Sequence, residues 1–488
     1  MAIVNLIFIF YLFFLLLIGF YSLKYSKTQE DYLLAGRSLG PWVTAFSERA
    51  SGESAWLLLA LPGAAITLGL VEVWTVLGII LGIFFSWNLI AERLRKESEK
   101  YNALTIPQYL HRKFNDKSNI IILFSAIIIS FFFLFYVSAQ FHASGKVLKS
   151  LFGLDPIYGI SIGAFIIILY TLLGGFFAVA WTDLVQGILM IGTLVILPIA
   201  GLIELADSNM SIIDSLKSAD RVFNNKNFSF FGGKKGIEAL IPIFSGLSWG
   251  LGYLGQPHLL IRYMAINNSQ DIKIAKKIAI LWAIPGITGA FFVGIVSLLY
   301  FGPEYFNLID PEQAMPLLAM EILHPIIAGI FISGAVAAMM STADSQLLVS
   351  ASAITQDIYH QYLGKDIKQA SLVKLSRIAI IILGLIAYFI AIFSEIRGNK
   401  IFGVVSYAWS GLGSSFGPVL LMTLWWDKIS KKGVIMGLIT GFSTTIIWAN
   451  SKFLSSIVSE RLISFLFSFI VIYLVSIFVK DENKTSSK

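Results

Sequence analysis

Residues 47–56, SERASGESAW, interrupt an apolar stretch long enough to cross a membrane. They lie between LGPWVTAF and LLLALPGAAITLGL and place Glu48, Arg49 and Glu53 around a glycine. Ionised side chains are costly at membrane depth and usually mark functional positions there. Backbone that leaves a regular helix is tolerated at that depth only where it lines a cavity or is buried in protein. The segment therefore predicts a break in a membrane-spanning helix.

The composition of the whole chain supports a polytopic membrane protein. Hydrophobic residues make up 57% of the 488 positions and charged residues only 13%, and the mean hydropathy is +0.79, which is far outside the soluble range. Because the apolar runs are continuous rather than alternating, they predict helices and not a strand barrel. Thirteen such runs have roughly the 20 residues that span a bilayer, and they cover residues 3–23, 39–67, 71–92, 119–145, 156–175, 178–203, 237–260, 275–302, 325–357, 371–394, 401–426, 433–450 and 461–479.

The basic residues predict the orientation. No Lys or Arg precedes the first run and no cleavage pattern follows it, so we expect a retained helix and not a signal peptide. Lys24 and Lys27 follow this run, and residues 92–117 are the richest basic segment. The positive-inside rule then predicts that the N terminus lies outside and the C terminus in the cytoplasm. The expected location is a plasma membrane, or the inner membrane in a bacterial cell.

Several classes of protein are disfavoured by what the sequence lacks. With no cysteine, the chain has no disulfide, thiolate metal site or cysteine nucleophile. The five histidines lack ligand spacing, and no Walker loop, dinucleotide fingerprint or G-x-S-x-G motif is present. Energy for transport is then expected to come from an ion gradient or from the solute. An intramembrane enzyme is disfavoured because no nucleophile and base occur at usable spacing.

Charge and chain organisation limit the expected partners. The net charge of +7 is distributed over loops, without a basic tract interleaved with aromatic residues, so we expect no nucleic-acid partner. Residues 1–488 are expected to form one transmembrane domain in the lipid bilayer. Because only DENKTSSK follows the last run, a membrane sensor with a C-terminal signalling domain is disfavoured. No obligate protein partner is evident.

A second interruption occurs in the seventh run. The segment FSGLSWGLGYLGQPHLL contains Gly246, Gly250, Gly252, Gly255 and Pro257. The first interruption is in the second run, and an offset of five helices is what an inverted repeat of five plus five predicts. The alternative for each glycine is close packing between helices.

The ninth run groups four oxygen-bearing side chains within five residues: Ser341, Thr342, Asp344 and Ser345. Monovalent cations that prefer oxygen ligands suit a hydroxyl pair that faces unwound carbonyls of another helix. Hydroxyls in membrane helices also commonly bond their own turn. Asp344 favours a functional role because an acid at membrane depth is costly, and the same argument marks Asp183. The alternative for both acids is a cytoplasmic or helix-capping position.

Four motifs resemble the sodium/solute symporter family, and within it most closely the bacterial sodium/proline symporters. They are DYLLAGRSLGPWVTAFS, LGGFFAVAWTDLVQ, GLSWGLGYLGQPHLLIRYMAI and MSTADSQLLVSASAITQD. The resemblance implies a LeuT-type core with two broken helices and alternating access around one central site. The expected parts are an extra helix and linker at 1–38, repeats at 39–203 and 237–426, and two peripheral helices and a tail at 427–488.

The same resemblance implies the positions of the ligands. For a sodium ion they are the carbonyls of Ala50, Glu53 and Ala338 and the hydroxyls of Ser341 and Thr342. For the second sodium of some members they are Asp183, Asp344 and Ser345. For a proline-like solute they are Ser54, Tyr136, Trp249, Tyr253 and Pro257. An amphipathic aromatic set suits a small ring-bearing zwitterion, while lipid or interhelical packing is the alternative for these aromatics.

The chain departs from the family pattern at the first break. Proline symporters carry GASDMSGW where this chain has RASGESAW, so Gly52 replaces an aspartate and Ala55 a glycine. The side chain of Glu53 has three alternative roles: to restore the lost negative charge, to recognise a cationic or hydroxyl group of another solute, or to carry a proton. We expect Arg49 to pair with Glu48 or Glu53, since an unpaired guanidinium would be expensive.

These observations predict a secondary transporter and not an enzyme. The expected activity is sodium-coupled uptake of a small organic solute, proline or a related amino acid first. The alternatives are another solute, such as a sugar acid, a sugar or a vitamin carboxylate, and a proton-coupled variant that uses Glu53.

Overall fold

The computed structural model describes residues 2–22, 29–173, 175–207, 217, 229–364 and 369–479. Lys24 and Lys27, most of the polar loop at 205–235 and the tail at 481–488 lie outside these residues. Within the described part the protein is helical, and its one strand-like feature is a parallel bridge between Leu39 and Ile266. The expectation of an all-α membrane protein is confirmed.

The helices follow one another with short connections. The α-helices are α1 (Ala2–Ser22), α2 (Gln29–Leu34), α3 (Pro41–Gly52), α4 (Leu61–Leu68), α5 (Val73–Phe85), α6 (Glu92–Lys100), α7 (Ile106–Lys113), α8 (Ile120–Phe152), α9 (Pro156–Leu173), α10 (Phe176–Asp207), α11 (Leu240–Leu247), α12 (Trp249–Gly252), α13 (Pro257–Ala265), α14 (Ser269–Phe301), α15 (Pro303–Leu308), α16 (Ala314–Ile322), α17 (Pro325–Ser352), α18 (Gln369–Ile396), α19 (Ile401–Trp425), α20 (Lys431–Asn450), α21 (Lys452–Ile457) and α22 (Glu460–Phe478). Shorter π or 3₁₀ turns cover Ala35–Arg37, Trp56–Ala60, Gly69–Glu72, Ser86–Ala91, Gly236–Ala239, Pro311–Gln313 and Ala353–Tyr362.

Many of these helices are long and apolar enough to cross a membrane. The described residues contain eight such helices, or nine if the bent pair at 236–265 counts as one span. Two shorter apolar helices cover Ile3–Leu15 and Pro156–Leu172. Helical structure is found within each of the thirteen apolar runs, while the number of crossings stays a prediction.

Both predicted helix breaks are present. Helix α3 ends at Gly52, and the backbone of Glu53 (φ −105°, ψ 53°) leaves the helical region before the chain resumes as a π turn at Trp56. In the seventh run, the helical segments before and after residues 253–256 are inclined by 43°. Pro257 begins α13, where its missing N–H costs nothing. The repeat boundaries stay a prediction.

The first break is enclosed by other helices. Helix α3 packs against α10, α14 and α17, and its residues from Ser47 to Gly52 are buried. Such enclosure is what an interrupted helix needs in a membrane, because lipid offers no hydrogen-bonding partner to the free backbone groups.

Glycines bring α5 into backbone contact with α11 and α12. Gly78 and Gly82 are four residues apart, as are Gly246 and Gly250 on the facing segment. A Cβ on Gly82 would lie 2.3 Å from the carbonyl oxygen of Gly250, and one on Gly250 would lie 2.1 Å from that of Gly78. Small residues at this spacing let helix backbones approach closely. For these glycines the packing interpretation is therefore correct.

This contact makes Gly82 sensitive to substitution. We expect Gly82→Ala to lower the stability of the purified protein by about 1–3 kcal/mol, because the new methyl group overlaps the backbone of Gly250. Gly192→Ala in α10 is the matched control, since nothing lies within 4 Å of its Cβ, and a helical alanine is neutral or mildly stabilising there. Thermal unfolding in detergent measures both, and equal melting temperatures would contradict the contact.

Candidate functional site

The end of α3 leaves the carbonyl groups of its last three residues without helical donors, as helix termini do. The carbonyl of Arg49, one position earlier, still accepts from the backbone N–H of Glu53 at 3.0 Å. That of Gly52 accepts from the indole N–H of Trp56 at 3.1 Å. The other two carbonyls, at residues 50 and 51, accept from hydroxyls of α17. The broken helix and the ninth run are thus joined at the atoms that the resemblance assigned to sodium.

Three of the five predicted sodium ligands converge on one point. The hydroxyl of Ser341 is 3.0 Å from the carbonyl oxygen of Ala50 and 3.1 Å from that of Ala338. The hydroxyl of Thr342 lies alongside and donates to the carbonyl of Ser51 at 3.0 Å. Glu53, the remaining predicted ligand, directly follows the last residue of α3. All five predicted ligand atoms are oxygens, and the residues that carry them are buried. Such a set of ligands suits a sodium ion.

The residues predicted for a second sodium also lie together. Oδ2 of Asp183 accepts from the hydroxyls of Ser47 at 2.6 Å and Ser51 at 3.1 Å. Oδ1 of Asp344 accepts from Ser345 at 3.2 Å, and the hydroxyl oxygens of Ser345 and Ser51 are 3.0 Å apart. Ser51 therefore connects the two predicted sodium sites through its carbonyl and its hydroxyl.

Sequence reasoning missed Arg262, which lies within this acidic group. Its Nη2 donates to Ser51 at 2.7 Å, to Ser345 at 2.6 Å and to Asp183 at 3.0 Å. Oδ1 of Asp183 and Oδ2 of Asp344 have no hydrogen-bonding partner among the described residues. With both acids ionised, one guanidinium leaves one negative charge uncompensated. A buried arginine in an apolar helix needs an acid nearby, and this requirement could have indicated Arg262.

A second charged group involves the residues that opened the sequence analysis. Arg49 donates from Nε to Oε2 of Glu48 at 2.7 Å and from Nη1 to Oε1 of Glu53 at 2.6 Å. It therefore pairs with both acids, where the sequence predicted one or the other. Trp87 donates to Oε2 of Glu48 at 3.0 Å, and Tyr253 donates to Oε1 of Glu53 at 2.9 Å. The Glu48, Arg49 and Glu53 side chains are fully buried.

Three of the five predicted solute residues contact Trp409, which the sequence analysis missed, and a fourth, Ser54, contacts Tyr136. Tyr253 and Tyr136 both pack edge-on against its ring, with centroids 4.7 Å and 6.3 Å away. The hydroxyl oxygens of Tyr136 and Ser54 are 3.4 Å apart, and the carbonyl of Trp249 accepts from the indole of Trp409 at 3.0 Å. The two glycines that follow Trp409 in SYAWSGLG could have indicated a close helix contact.

Pro257 is the fifth predicted solute residue. It lines a small cavity together with Thr105 and Asp357. It begins the helix on the far side of residues 253–256.

The last helix, α22, covers the solute group at one end. The guanidinium of Arg461 lies 4.2 Å from the ring centroid of Trp249 and donates to the carbonyl of Ser245 at 3.2 Å. Its neighbour Glu460 accepts from Ser406 at 2.6 Å. Because Trp249 is only 1% exposed, this face of the centre is closed in the structure.

Two broken helices around a buried group of oxygens define the chain as a membrane transporter. It belongs to the sodium:solute symporter family, whose profile matches residues 32–441. It is 39% identical over 471 residues to the high-affinity proline transporter PutP of Bacillus subtilis (strain 168), which covers 96% of this chain and 97% of the relative. Identity to the sodium/proline symporter of Escherichia coli (strain K12) is 38% over 484 residues, or 98% of this chain and 93% of the relative.

Solved structures agree on the fold. A Na⁺-coupled sialic acid symporter in a substrate-bound, outward-open state superposes with a TM-score of 0.79 at 18% identity, over 98% of each chain. MhsT in complex with L-phenylalanine gives a TM-score of 0.52 at 14% identity, over 89% of this chain and 98% of the other. The LeuT-type fold and the family resemblance are confirmed, while the roles of individual site residues stay predictions.

The position of Arg262 leads to a testable consequence. Arg262→Gln leaves Asp183 and Asp344 without the guanidinium. We therefore expect the free energy of unfolding in choline chloride to fall by about 3–5 kcal/mol, which lowers the melting temperature. Sodium chloride should raise the melting temperature of the variant more than that of the parent, because a cation can compensate the unpaired negative charge. Lys96→Gln, which removes an exposed lysine paired with Glu92, is the control. Equal sodium-dependent shifts in all three proteins would contradict this role.

Proposed function

We propose that this chain couples the inward movement of sodium to the uptake of a small organic solute, L-proline or a related amino acid, by alternating access. The observation that carries the proposal is the hydroxyl of Ser341 between the carbonyls of Ala50 and Ala338 at the helix break. Family membership supports the sodium coupling. Two relatives named as proline transporters, matched over nearly their full length, support the solute.

The proposed ligands follow the groups described above. For the first sodium they are the carbonyls of Ala50, Glu53 and Ala338 with the hydroxyls of Ser341 and Thr342. A second cation would use Asp183, Asp344 and Ser345. The proposed solute pocket comprises Ser54, Tyr136, Trp249 and Tyr253, with Pro257 on the far side of the second break.

The proposed orientation has the N terminus outside and the C terminus in the cytoplasm of the plasma membrane. Arg461 then covers the pocket from the outer side, and the cavity beside Pro257 faces inward. One sodium entering down about 100 mV releases roughly 2.3 kcal/mol, and a tenfold sodium gradient adds about 1.4 kcal/mol. Together these allow roughly 500-fold accumulation of a solute moved with one sodium.

Uptake by the reconstituted protein tests the proposal directly. We expect proteoliposomes to accumulate labelled L-proline under an inward sodium gradient and to lose accumulation when potassium replaces sodium. Unlabelled amino acids, sugar acids, sugars and vitamin carboxylates, supplied in turn as competitors, determine the solute class. Proline uptake that is indifferent to sodium, or accumulation under a proton gradient alone, would contradict the proposed coupling.

The first sodium group has its own test. Ser341→Ala removes the hydroxyl between Ala50 and Ala338, and Thr342→Ala removes its neighbour, so both should raise the sodium concentration for half-maximal uptake. For Ser341→Ala the expected increase is roughly 10- to 150-fold, since a hydrogen bond to a charged group is worth about 1.5–3 kcal/mol. Ser333→Ala, on the same helix and bonded within its own turn to Gly329, is the matched control. Sodium dependence unchanged from the parent in both variants would exclude this site.

A further inference from the structure

The hydrogen bonds around Arg49 leave one carboxylate oxygen unused. Each guanidinium nitrogen of Arg49 donates to an acid: Nε and Nη2 to Glu48, and Nη1 to Glu53. Both oxygens of Glu48 are occupied, since Trp87 also donates to Oε2 and Arg49 to Oε1. On Glu53, Oε1 accepts from Arg49 and Tyr253. Oε2 of Glu53 is buried and has no hydrogen-bonding partner among the described residues.

The same three side chains also carry an excess of negative charge. Two ionised acids around one guanidinium leave one charge uncompensated, and the hydrogen bonds of Arg49 go to the other three carboxylate oxygens. A buried carboxylate without a partner is costly in the membrane interior. The group is therefore complete only when something positive reaches Oε2 of Glu53.

The position of Glu53 separates its carboxylate from the predicted sodium ligands. Glu53 follows the last residue of α3 and forms an ion pair with Arg49, four residues earlier, at 2.6 Å. The atoms that contact α17 are instead the backbone carbonyl of Ala50 and both oxygens of Ser51. Within the described part of the chain, the protein donors to the Glu53 carboxylate come from α3 itself and from the second break, and none comes from α17.

The carboxylate is instead continuous with the aromatic group. Tyr253, which donates to Glu53, packs against Trp409 with ring centroids 4.7 Å apart. Trp409 also contacts Tyr136, whose hydroxyl lies 3.4 Å from that of Ser54. A ligand seated among these rings lies beside Tyr253, whose hydroxyl donates to the Glu53 carboxylate.

From this geometry we propose that Oε2 of Glu53 binds the protonated amine of the transported solute, and that the transporter selects solutes with a cationic nitrogen that carries hydrogen. The inference rests on the proposed function, since it takes the aromatic group as the solute pocket. Arg49 and Glu48 position the carboxylate and leave one of its oxygens free. An N⁺–H donor fits because charge-assisted hydrogen bonds to carboxylates are short and strong. Sugars and carboxylates without an amine leave the charge uncompensated.

A pair of isosteric competitors tests this proposal. Sodium-driven uptake of labelled L-proline into proteoliposomes is measured against unlabelled L-proline and against tetrahydrofuran-2-carboxylate, in which oxygen replaces the ring N–H. We expect the parent protein to prefer proline strongly. In Glu53→Gln that preference should fall by roughly 10- to 150-fold, the value of a hydrogen bond to a charged group. The sodium concentration for half-maximal uptake should change little.

Further variants keep the test decisive. Glu53→Asp preserves the charge and should retain the preference for proline even where affinity falls. Tyr253→Phe removes one donor to Oε1 but leaves the ionised carboxylate in place, so it should reduce the preference by much less than Glu53→Gln does. Glu92→Gln, which removes an exposed carboxylate, should match the parent. If Glu53→Gln does not take up proline, the shift in melting temperature caused by each competitor replaces uptake as the measurement.

The opposing outcomes are distinct. A parental preference in Glu53→Gln overturns the proposal, and a raised sodium requirement with that preference intact assigns the carboxylate to the cation. Uptake driven by a pH gradient without sodium, and lost in Glu53→Gln, assigns it to a proton. If the parent transports a different amine, the proposed solute is wrong but the inference is tested with that amine and its deaminated analogue. Sodium-driven uptake of a solute without cationic nitrogen overturns the inference and leaves sodium coupling intact.

Discussion

The carbonyl groups at the end of α3 impose the constraint on which the rest of the centre depends. A backbone carbonyl without a donor is expensive where lipid replaces water, so a helix that stops at Gly52 must be met by donors from elsewhere. The hydroxyls of Ser341 and Thr342 meet two of these carbonyls, and the indole of Trp56 meets a third. This requirement places α17 beside α3, and it gathers the same oxygens that a sodium ion prefers. The structural need and the ion chemistry are satisfied by one arrangement.

Charge is distributed on two sides of that helix end in similar ways. On one side Arg262 lies with Asp183 and Asp344, and on the other Arg49 lies between Glu48 and Glu53. Arg49 contacts both carboxylates of its group, whereas Arg262 contacts Asp183 directly and Asp344 through Ser345. With all acids ionised each group keeps one negative charge. Fully paired buried charges would favour a rigid, inert core. A residual negative charge instead attracts a cation into the buried group of side chains.

The sequence predicted the location of the breaks better than the contacts across them. Glycines and charges inside apolar runs indicated both interruptions, because few other arrangements place such residues in a membrane. The meeting of Ser341 with Ala50 came from the family resemblance, since residues 291 positions apart carry no local sign of contact. Arg262 was missed for the same reason: Asp183 is 79 positions away. Pro257 was grouped with the aromatic residues by the family resemblance, and its role in a solute pocket stays a prediction.

The last helix is predicted to be peripheral, and its first turn contacts Trp249 of the aromatic group. These contacts are made by the side chains of Arg461 and Glu460, which reach Trp249, Ser245 and Ser406.

The contact between α5 and α12 differs from the contacts of Arg461, because Gly82 and Gly250 meet through their backbones. Backbone contact leaves no side chain that can rotate away, so these two segments are expected to move together. Side-chain hydrogen bonds at the edge of the bundle break at lower cost, since water can replace each lost partner. Separating Arg461 from its partners is therefore expected to cost less than separating the backbones of Gly82 and Gly250.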